Sequence, residues 1–164
     1  MTAAKAEPSP PEGLRLGVAQ ATDIPALVRL LDQLFAIESD FSADASRQER
    51  GLRSVLSSPT ACVMVARSAA GTPVAMCSAQ LVYSTAEGAP SAWIEDVIVD
   101  AAWRSRGLGR SVLLATLDWA RSQGATRAQL MADLDNQPAL DFYRRLGWAT
   151  TRLGALRLQL VDRQ

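Results

Sequence analysis

The sequence predicts a single α/β domain, with a mixed central β-sheet of about six or seven strands and about four helices. Its 164 residues fit one compact domain. Hydrophobic residues make up 48% of the chain, which is enough for a buried core. Segments with strand and helix periodicity follow one another in the order β-α-α-β-β-β-α-β-α-β, which indicates a mixed sheet rather than a regular doubly wound one.

The chain begins with a segment whose composition is not typical of folded structure. Residues 1–13 contain three prolines and no apolar stretch, so we expect a disordered tail followed by one domain over residues 14–164. Alternation and three- or four-residue spacing of apolar side chains then predict the following elements. They are a strand at 14–20, a helix at 23–37, a short helix at 45–57, and two hairpin strands at 61–67 and 73–83.

The second half alternates strands and helices. A strand ends just before a turn that contains two glycines, and a helix follows this turn directly. The predicted elements are a strand at 92–100, the turn at 103–110, a helix at 108–122, a strand at 127–134, a helix at 138–146, and a final strand or hairpin at 148–161.

Charge and composition exclude several classes of function. Seventeen basic and 17 acidic residues give a formal net charge of zero, which argues against nucleic-acid binding. The absence of histidine excludes His-containing catalytic triads and His-ligated zinc, and we expect no metal. No apolar run is long enough to span a membrane. Cys62 and Cys77 lie in apolar segments, where we expect packed, free thiols typical of a reducing, cytoplasmic compartment.

Glu95 and Asp96 break the pattern of the strand that contains them. They stand side by side among apolar residues, and local rules of this kind are often broken at functional sites. Strand alternation predicts that their side chains point to opposite faces. A charged residue on an exposed strand edge remains the alternative explanation for Glu95.

The turn that follows this strand has the properties of an anion-binding site. Its glycines allow a tight bend with exposed amides, the next helix adds the partial positive charge of its N-terminus, and three arginines surround them. A Walker loop requires Gly-Lys-Ser/Thr, which is absent, and a dinucleotide fingerprint requires a third glycine where Val112 stands. A surface turn with solvated arginines, or a site for another nucleotide phosphate, remains open.

Two motifs together resemble the GNAT (Gcn5-related N-acetyltransferase) superfamily. The first is Arg104-x-x-Gly107-x-Gly109 after a strand that ends at Asp100, and it resembles the acetyl-CoA-binding motif. The second comprises Asn136 and the segment 139–148, which resembles the closing element of that family. The resemblance covers nearly the whole chain in element order. The Glu-Asp pair is most similar to that of the polyamine/diamine acetyltransferase branch.

The resemblance implies a binding site for acetyl-CoA as the acetyl donor. In this family the strand before the turn splays from its neighbour, so the backbone of Val97, Ile98 and Val99 would pair with the pantetheine arm. Asn136 would contact the same arm. The amides of the turn would hold the pyrophosphate beside the Arg104 side chain, and these amides belong to Ser105, Arg106, Gly107, Leu108, Gly109 and Arg110.

Acetyl transfer to an amine requires the neutral form of the nucleophile. An alkyl ammonium with a pKa near 10.4 is only about one part in a few thousand neutral at pH 7, so a base is valuable. The resemblance implies that Glu95 is this base, acting directly or through water. It also implies that Tyr143 is the acid beside the departing sulfur, although an inward-packed aromatic is the alternative explanation. A backbone donor such as that of Ile98 would stabilise the oxyanion.

The acceptor is the part of the function that the sequence defines least. The resemblance places the acceptor site among the early helices and the loop before the Glu-Asp strand, and the candidate residues are Phe35, Glu38, Tyr83, Trp93 and Asp96. A small-molecule amine, such as an amino acid, an aminoglycoside or a polyamine, would suit such a site, as would a peptide N-terminus, and a homodimer is plausible. A catalytically idle acyl-CoA-binding sensor or regulatory module is the alternative function.

Overall fold

The computed structural model describes residues 13–38 and 40–160, so the predicted tail lies outside the described residues apart from Gly13. The chain divides into two compact units, one ending at Leu130 and one beginning at Met131. The first unit contains β1 (Arg15–Val18), α1 (Ile24–Phe35), α2 (Ala45–Ser57), β2 (Ala61–Arg67), β3 (Pro73–Ser84), β4 (Ala89–Val99), α3 (Leu108–Ser122) and β5 (Arg127–Leu130). The second unit contains α4 (Gln137–Arg145).

The strands form one sheet in chain order, β1-β2-β3-β4-β5. The strands from β1 to β4 pair antiparallel with one another, whereas β5 runs parallel to β4 and pairs with it only over residues 91–94. The predicted α/β class with a mixed sheet is therefore confirmed, as are the predicted bounds of α2, β2 and α3. Beyond its last pair with β5, β4 continues for residues 95–99.

The predicted number of six or seven strands is wrong for the described residues, in which the sheet has five. The difference arises at residues 148–160, where the predicted final strand or hairpin is absent. Leucines alternate there as in a strand, yet Leu156, Leu158 and Leu160 are exposed. Alternation indicates a strand only where a neighbouring strand accepts its backbone hydrogen bonds, and no such pairing forms in the described part of this segment.

A hydrophobic core lies between the sheet and the helices α1 and α2. The apolar stripe of α1 buries Leu27 and Leu30 against Val63 and Met76 of the sheet, and Leu52 of α2 joins the same cluster. A fully buried leucine contributes roughly 1.5 to 3 kcal/mol, so this packing fixes where α1 and α2 sit on the sheet. The helix α3 packs against β2 and β3.

Both cysteines are free and buried, as the sequence predicts. Burial raises the pKa of the Cys62 thiol to about 11 and that of Cys77 to about 12, which keeps both thiols protonated at neutral pH. They therefore serve as packing residues. Among the described helices, none combines the length and apolarity that a bilayer crossing requires.

Candidate functional site

A β-bulge interrupts the pairing of β3 with β4 in the middle of the sheet. Cys77 of β3 stands opposite two residues of β4, Asp96 and Val97, because the register shifts at this point. Asp96 adopts a left-handed backbone conformation with φ 52°, which costs a non-glycine residue of order 1 kcal/mol. The extra residue lengthens β4 by one position relative to β3.

The bulge places two carboxylates beside the same cavity. Glu95 pairs in register with Ser78, and the Ser78 hydroxyl donates a hydrogen bond to Asp96 Oδ2 over 2.8 Å. Both Glu95 and Asp96 line the cavity described below. The prediction that strand alternation separates them onto opposite faces is therefore wrong, because the left-handed backbone at Asp96 breaks the alternation.

The Asp96 carboxyl is the strongly perturbed acid of this group. Burial raises its pKa to about 6, the hydrogen bond from Ser78 opposes this rise, and the neighbouring negative charge of Glu95 adds to it. A buried carboxyl of this kind changes protonation close to neutral pH, so it gives the cavity a pH-dependent charge.

Glu95 is held by two side chains that are neutral hydrogen-bond donors. Gln80 Nε2 donates to Glu95 Oε2 over 3.2 Å, and Trp93 Nε1 donates to Oε1 over 3.2 Å. The carboxylate remains exposed and so stays accessible to a ligand. The sequence analysis missed Gln80, since a polar residue two places along a strand from a serine carries no distinguishing pattern.

A cavity of about 310 Å³ opens beside the two carboxylates, within the first unit. Its walls come from α1, α2, the connection before α2, and the centre of the sheet. They are formed by Leu31, Phe35, Ser42, Asp44, Arg47, Gln48, Gly51, Leu52, Val55, Val63, Ser78, Glu95 and Asp96. Five of these side chains are apolar, and the charged groups are the two β4 carboxylates and the Asp44–Arg47 ion pair.

Only two of the five residues predicted to bind the acceptor line this cavity. Phe35 and Asp96 line the cavity, and Trp93 reaches it only through its hydrogen bond to Glu95. Tyr83 lies near the end of β3 with 91% of its surface exposed, and neither it nor Glu38 is among the described lining residues. The acceptor role of each of these five residues stays a prediction.

The glycine turn between β4 and α3 leaves a group of backbone amides unpaired. Gly107 adopts φ 77° at the start of α3, and Ser105 adopts φ 62°. In the part of the chain that the structure describes, the amides of residues 105–110 donate no hydrogen bond to the protein. Leu108 anchors the turn because its side chain is buried. The turn therefore presents several free N–H groups at the N-terminus of a fifteen-residue helix.

The arginines of the turn are partly held by the protein itself. Arg104 Nε donates to the carbonyl oxygen of Val99 over 3.2 Å, and the Arg106 guanidinium lies 4.9 Å from the centroid of the Trp103 ring. Arg110 is exposed on the first turn of α3. These contacts hold the Arg104 and Arg106 side chains against neighbouring residues of the turn, while all three arginines remain exposed.

A brace from α1 fixes the end of β4, and the sequence analysis did not find it. Gln33 Nε2 donates to Asp100 Oδ2 over 2.9 Å, and Gln33 Oε1 accepts from the Ala101 amide over 3.0 Å. Asp100 also accepts from the Ala102 amide over 2.9 Å. The brace joins residues 67 or 68 positions apart in the chain, so no local pattern could reveal it.

These features of the turn fit the diphosphate of acetyl-CoA. An added Cβ at Gly107 would meet no protein atom within 4 Å, so the space beside this glycine is open to a ligand. Free amides, a helix N-terminus and nearby guanidinium groups are the donor set that binds phosphate oxygens. The described residues contain no cluster of three or more side chains suited to a metal ion.

The second unit contains the remaining two predicted site residues. Asn136 immediately precedes α4, and its side-chain oxygen accepts a hydrogen bond from the Ala139 amide over 3.2 Å. The Tyr143 ring packs edge-on against Phe142 and Trp148, with centroids 5.2 and 5.9 Å away. The structure thus gives Asn136 a helix-capping role, and the ligand contacts of both residues stay predictions.

The family model and the relatives that match this chain are all acetyltransferases. The model of the acetyltransferase (GNAT) family matches residues 26–148. An uncharacterised N-acetyltransferase of Methanocaldococcus jannaschii is 29% identical over 70 residues, which are 43% of this chain and 31% of that protein. The streptothricin acetyltransferase of Streptomyces lavendulae is 39% identical over 64 residues, which are 36% of this chain and 34% of that protein. The chain thus spans about a third of the length of these relatives.

A solved structure supports the fold over nearly the full chain. The aminoglycoside acetyltransferase from an uncultured soil sample, crystallised with trehalose, superposes with a TM-score of 0.76. It is 24% identical, and the match covers 92% of this chain and 99% of that one. At this identity the likeness shows the fold alone.

Proposed function

This chain belongs to the acetyltransferase (GNAT) family, and on that premise we propose that it is an N-acetyltransferase. It transfers an acetyl group from acetyl-CoA to the primary amine of a small molecule or of a peptide N-terminus, by direct attack in a ternary complex. The observation that carries the proposal is the succession along β4 of an exposed carboxylate at a cavity and, after the strand, a turn of unpaired amides.

Acetyl-CoA, when bound, supplies an acetyl group activated as a thioester. In our proposal the amides of residues 105–110 hold its diphosphate, assisted by Arg104, Arg106 and Arg110. The backbone of Val97, Ile98 and Val99 pairs with the pantetheine arm, which suits a strand that continues past its last pair with β5. Asn136 contacts the same arm through the part of its amide that does not cap α4.

Glu95 acts as the base in this proposal. It removes a proton from the acceptor ammonium, directly or through water, because only the neutral amine attacks. Gln80 and Trp93 hold both of its oxygens at 3.2 Å, so the carboxylate keeps one orientation toward the cavity. Asp96 contributes a second acidic group, which attracts the acceptor ammonium before Glu95 removes the proton from that ammonium.

Two donors complete the proposed chemistry. Tyr143 protonates the departing sulfur, which prevents an isolated thiolate. The backbone amide of Ile98 stabilises the negative charge that develops on the acetyl oxygen. The Glu95–Asp96 pair resembles that of the polyamine/diamine branch, and this resemblance supports the role of Glu95 without identifying a polyamine as the acceptor.

The test measures thiol release from acetyl-CoA with a panel of amines, for the wild type, Glu95→Gln and Glu49→Gln. Glu49 is a matched surface glutamate on α2, paired with Arg53. We expect Glu95→Gln to lose about a hundredfold or more in kcat while its Kd for CoA, measured by calorimetry, stays unchanged. Glu49→Gln should match the wild type in both quantities.

The same experiment separates the proposal from its alternative. Tight CoA binding without turnover of any amine would support a catalytically idle acyl-CoA sensor or regulatory module instead. Binding of ATP that CoA does not displace would support an unrelated nucleotide-phosphate site.

We also propose a cytoplasmic location and a homodimeric state. Both cysteines are free and buried, which suits a reducing compartment. Light scattering at several protein concentrations would establish the number of chains in the assembly, and a purely monomeric result would remove the dimer from the proposal.

A further inference from the structure

We propose that Gln48 selects the acceptor, and that this acceptor is a small primary amine that also carries a neutral amide group. The inference rests on the proposed function and names the substrate class of the same cavity. It starts from one buried side chain of α2 whose hydrogen-bonding groups have no partner.

Gln48 is the exception among the polar residues that line the cavity. It is 7% exposed, and neither Nε2 nor Oε1 has a hydrogen-bond partner in the described residues. Buried polar atoms in folded proteins are almost always paired, because an unpaired buried donor or acceptor loses its hydration without compensation. Leu52 and Val55 follow on the same helix and line the same cavity, so an apolar side chain would suit the position better.

The chemistry of the ligand follows from the two atoms that need partners. Nε2 requires an acceptor and Oε1 requires a donor. A carboxylate would satisfy only Nε2, and an ammonium group would satisfy only Oε1. A primary carboxamide presents a carbonyl oxygen and an NH₂ group side by side, so it pairs with both atoms of Gln48 at once.

The charges around the cavity assign the other end of the ligand. Glu95 and Asp96 are acidic and receive the ammonium group, whereas Asp44 is already paired with Arg47 over 3.1 Å. The remaining walls are largely apolar, and a second ammonium group would lose its hydration against them. A cavity of about 310 Å³ lies at the small end of the range for ligand sites. These features favour a small aminocarboxamide over a polyamine.

Access to Gln48 requires a small movement of its own side chain. Its amide atoms are closed off from solvent although the residue lines the cavity. A ligand therefore reaches them when the side chain rotates toward the cavity, and the gain of two hydrogen bonds favours this rotation.

The test compares amines that differ only in the amide. γ-Aminobutyramide and ε-aminocaproamide are compared with butylamine and hexylamine, and spermidine is included as a polycation. We expect the wild type to prefer the carboxamides about tenfold or more in kcat/KM. In Gln48→Met this ratio should fall toward one, while Tm should not fall, because the variant removes unpaired polar atoms from the interior. Gln123→Met, at an exposed position just after α3, should keep the wild-type ratio.

The failures of the two proposals look different. Turnover of all the amines by the wild type without a preference for carboxamides overturns the inference and leaves the acetyltransferase function standing. A preference that survives in Gln48→Met also overturns it, as does a preference for spermidine. If no amine is acetylated, the proposed function fails. In that case a rise in Tm with ε-aminocaproamide in the wild type but not in Gln48→Met still supports the inference, and an equal rise or none overturns it.

Discussion

The Ser78 hydroxyl donates a hydrogen bond to the Asp96 carboxylate over 2.8 Å, from a position that pairs in register with Glu95. This contact exists because the bulge in β4 turns the Asp96 side chain toward Ser78. The hydrogen bond favours the ionised carboxylate, but burial outweighs it and raises the pKa of Asp96 to about 6. Charge at this place is therefore unfavourable for folding and depends on pH.

Asp96→Asn should stabilise the protein at neutral pH and lose this advantage in acid. The pKa of Asp96 lies near 6 in the folded protein and 3.8 is its ordinary value, so the folded state binds more protons between these values. The free energy of unfolding therefore falls as the pH rises through this window, and the penalty persists above it. The asparagine variant should gain up to roughly 3 kcal/mol at pH 8, at about 1.4 kcal/mol per pKa unit. Urea unfolding at pH 8 and pH 4 measures the gain, and equal gains at both pH values would contradict the prediction.

Gly107→Ala should weaken CoA binding more than it weakens the fold. The left-handed backbone at φ 77° costs an alanine about 1 kcal/mol, and the new Cβ would enter the space open to the diphosphate. Gly71→Ala is the matched control, because Gly71 has φ 84° in the hairpin turn and equally open surroundings. We expect similar losses in the free energy of unfolding and a rise in Kd of about tenfold for Gly107→Ala alone. Equal Kd values for both variants would place the diphosphate elsewhere.

Gln33→Leu should loosen the turn without touching the ligand. The substitution removes the hydrogen bonds to Asp100 and Ala101, and because these partners are half-buried or exposed, each bond contributes roughly 0.5 to 1.5 kcal/mol. CoA then has to order the turn on binding, so Kd should rise several-fold. Calorimetry with CoA measures the change, and Gln123→Leu at an exposed position just after α3 provides the comparison. A fall in stability with an unchanged Kd would limit the brace to a folding role.

Tyr143→Phe should lower kcat about a hundredfold while Kd for CoA stays unchanged. The substitution keeps the ring that packs against Phe142 and Trp148, and removes only the proposed proton donor. Rapid-quench measurement of a single turnover isolates the chemical step. A similar loss in Phe142→Leu would attribute the effect to packing of α4 instead of proton donation.

Local patterns were sufficient to predict most of the fold. The continuous apolar run of β2 and the apolar spacing in α3 gave the observed bounds, 61–67 and 108–122, because β2 is buried along its central residues and α3 buries one stripe. The segment 148–160 shows the limit of such patterns. Its alternating leucines satisfy the local rule for a strand, but a strand also needs a partner, which periodicity does not reveal.

The candidate site was predictable where a motif is continuous in sequence. The turn at 104–110 and the acidic pair at Glu95 and Asp96 are local, so the chain itself displays them. The bulge was not predictable, since one extra residue in a strand leaves no trace in the alternation until the register is known. Gln33, Gln80 and Gln48 were missed because a lone glutamine carries no pattern until its distant neighbours are known.

The two buried thiols of β2 and β3 can report unfolding of the sheet through their accessibility to reagents. Since Cys62 and Cys77 remain protonated and out of reach of solvent while the sheet is intact, an alkylating reagent modifies them only in molecules whose core has come apart. The rate of that labelling, followed by mass, measures how often the sheet unfolds. It also means that a colorimetric thiol reagent reports the release of CoA from the native protein without a background from the chain.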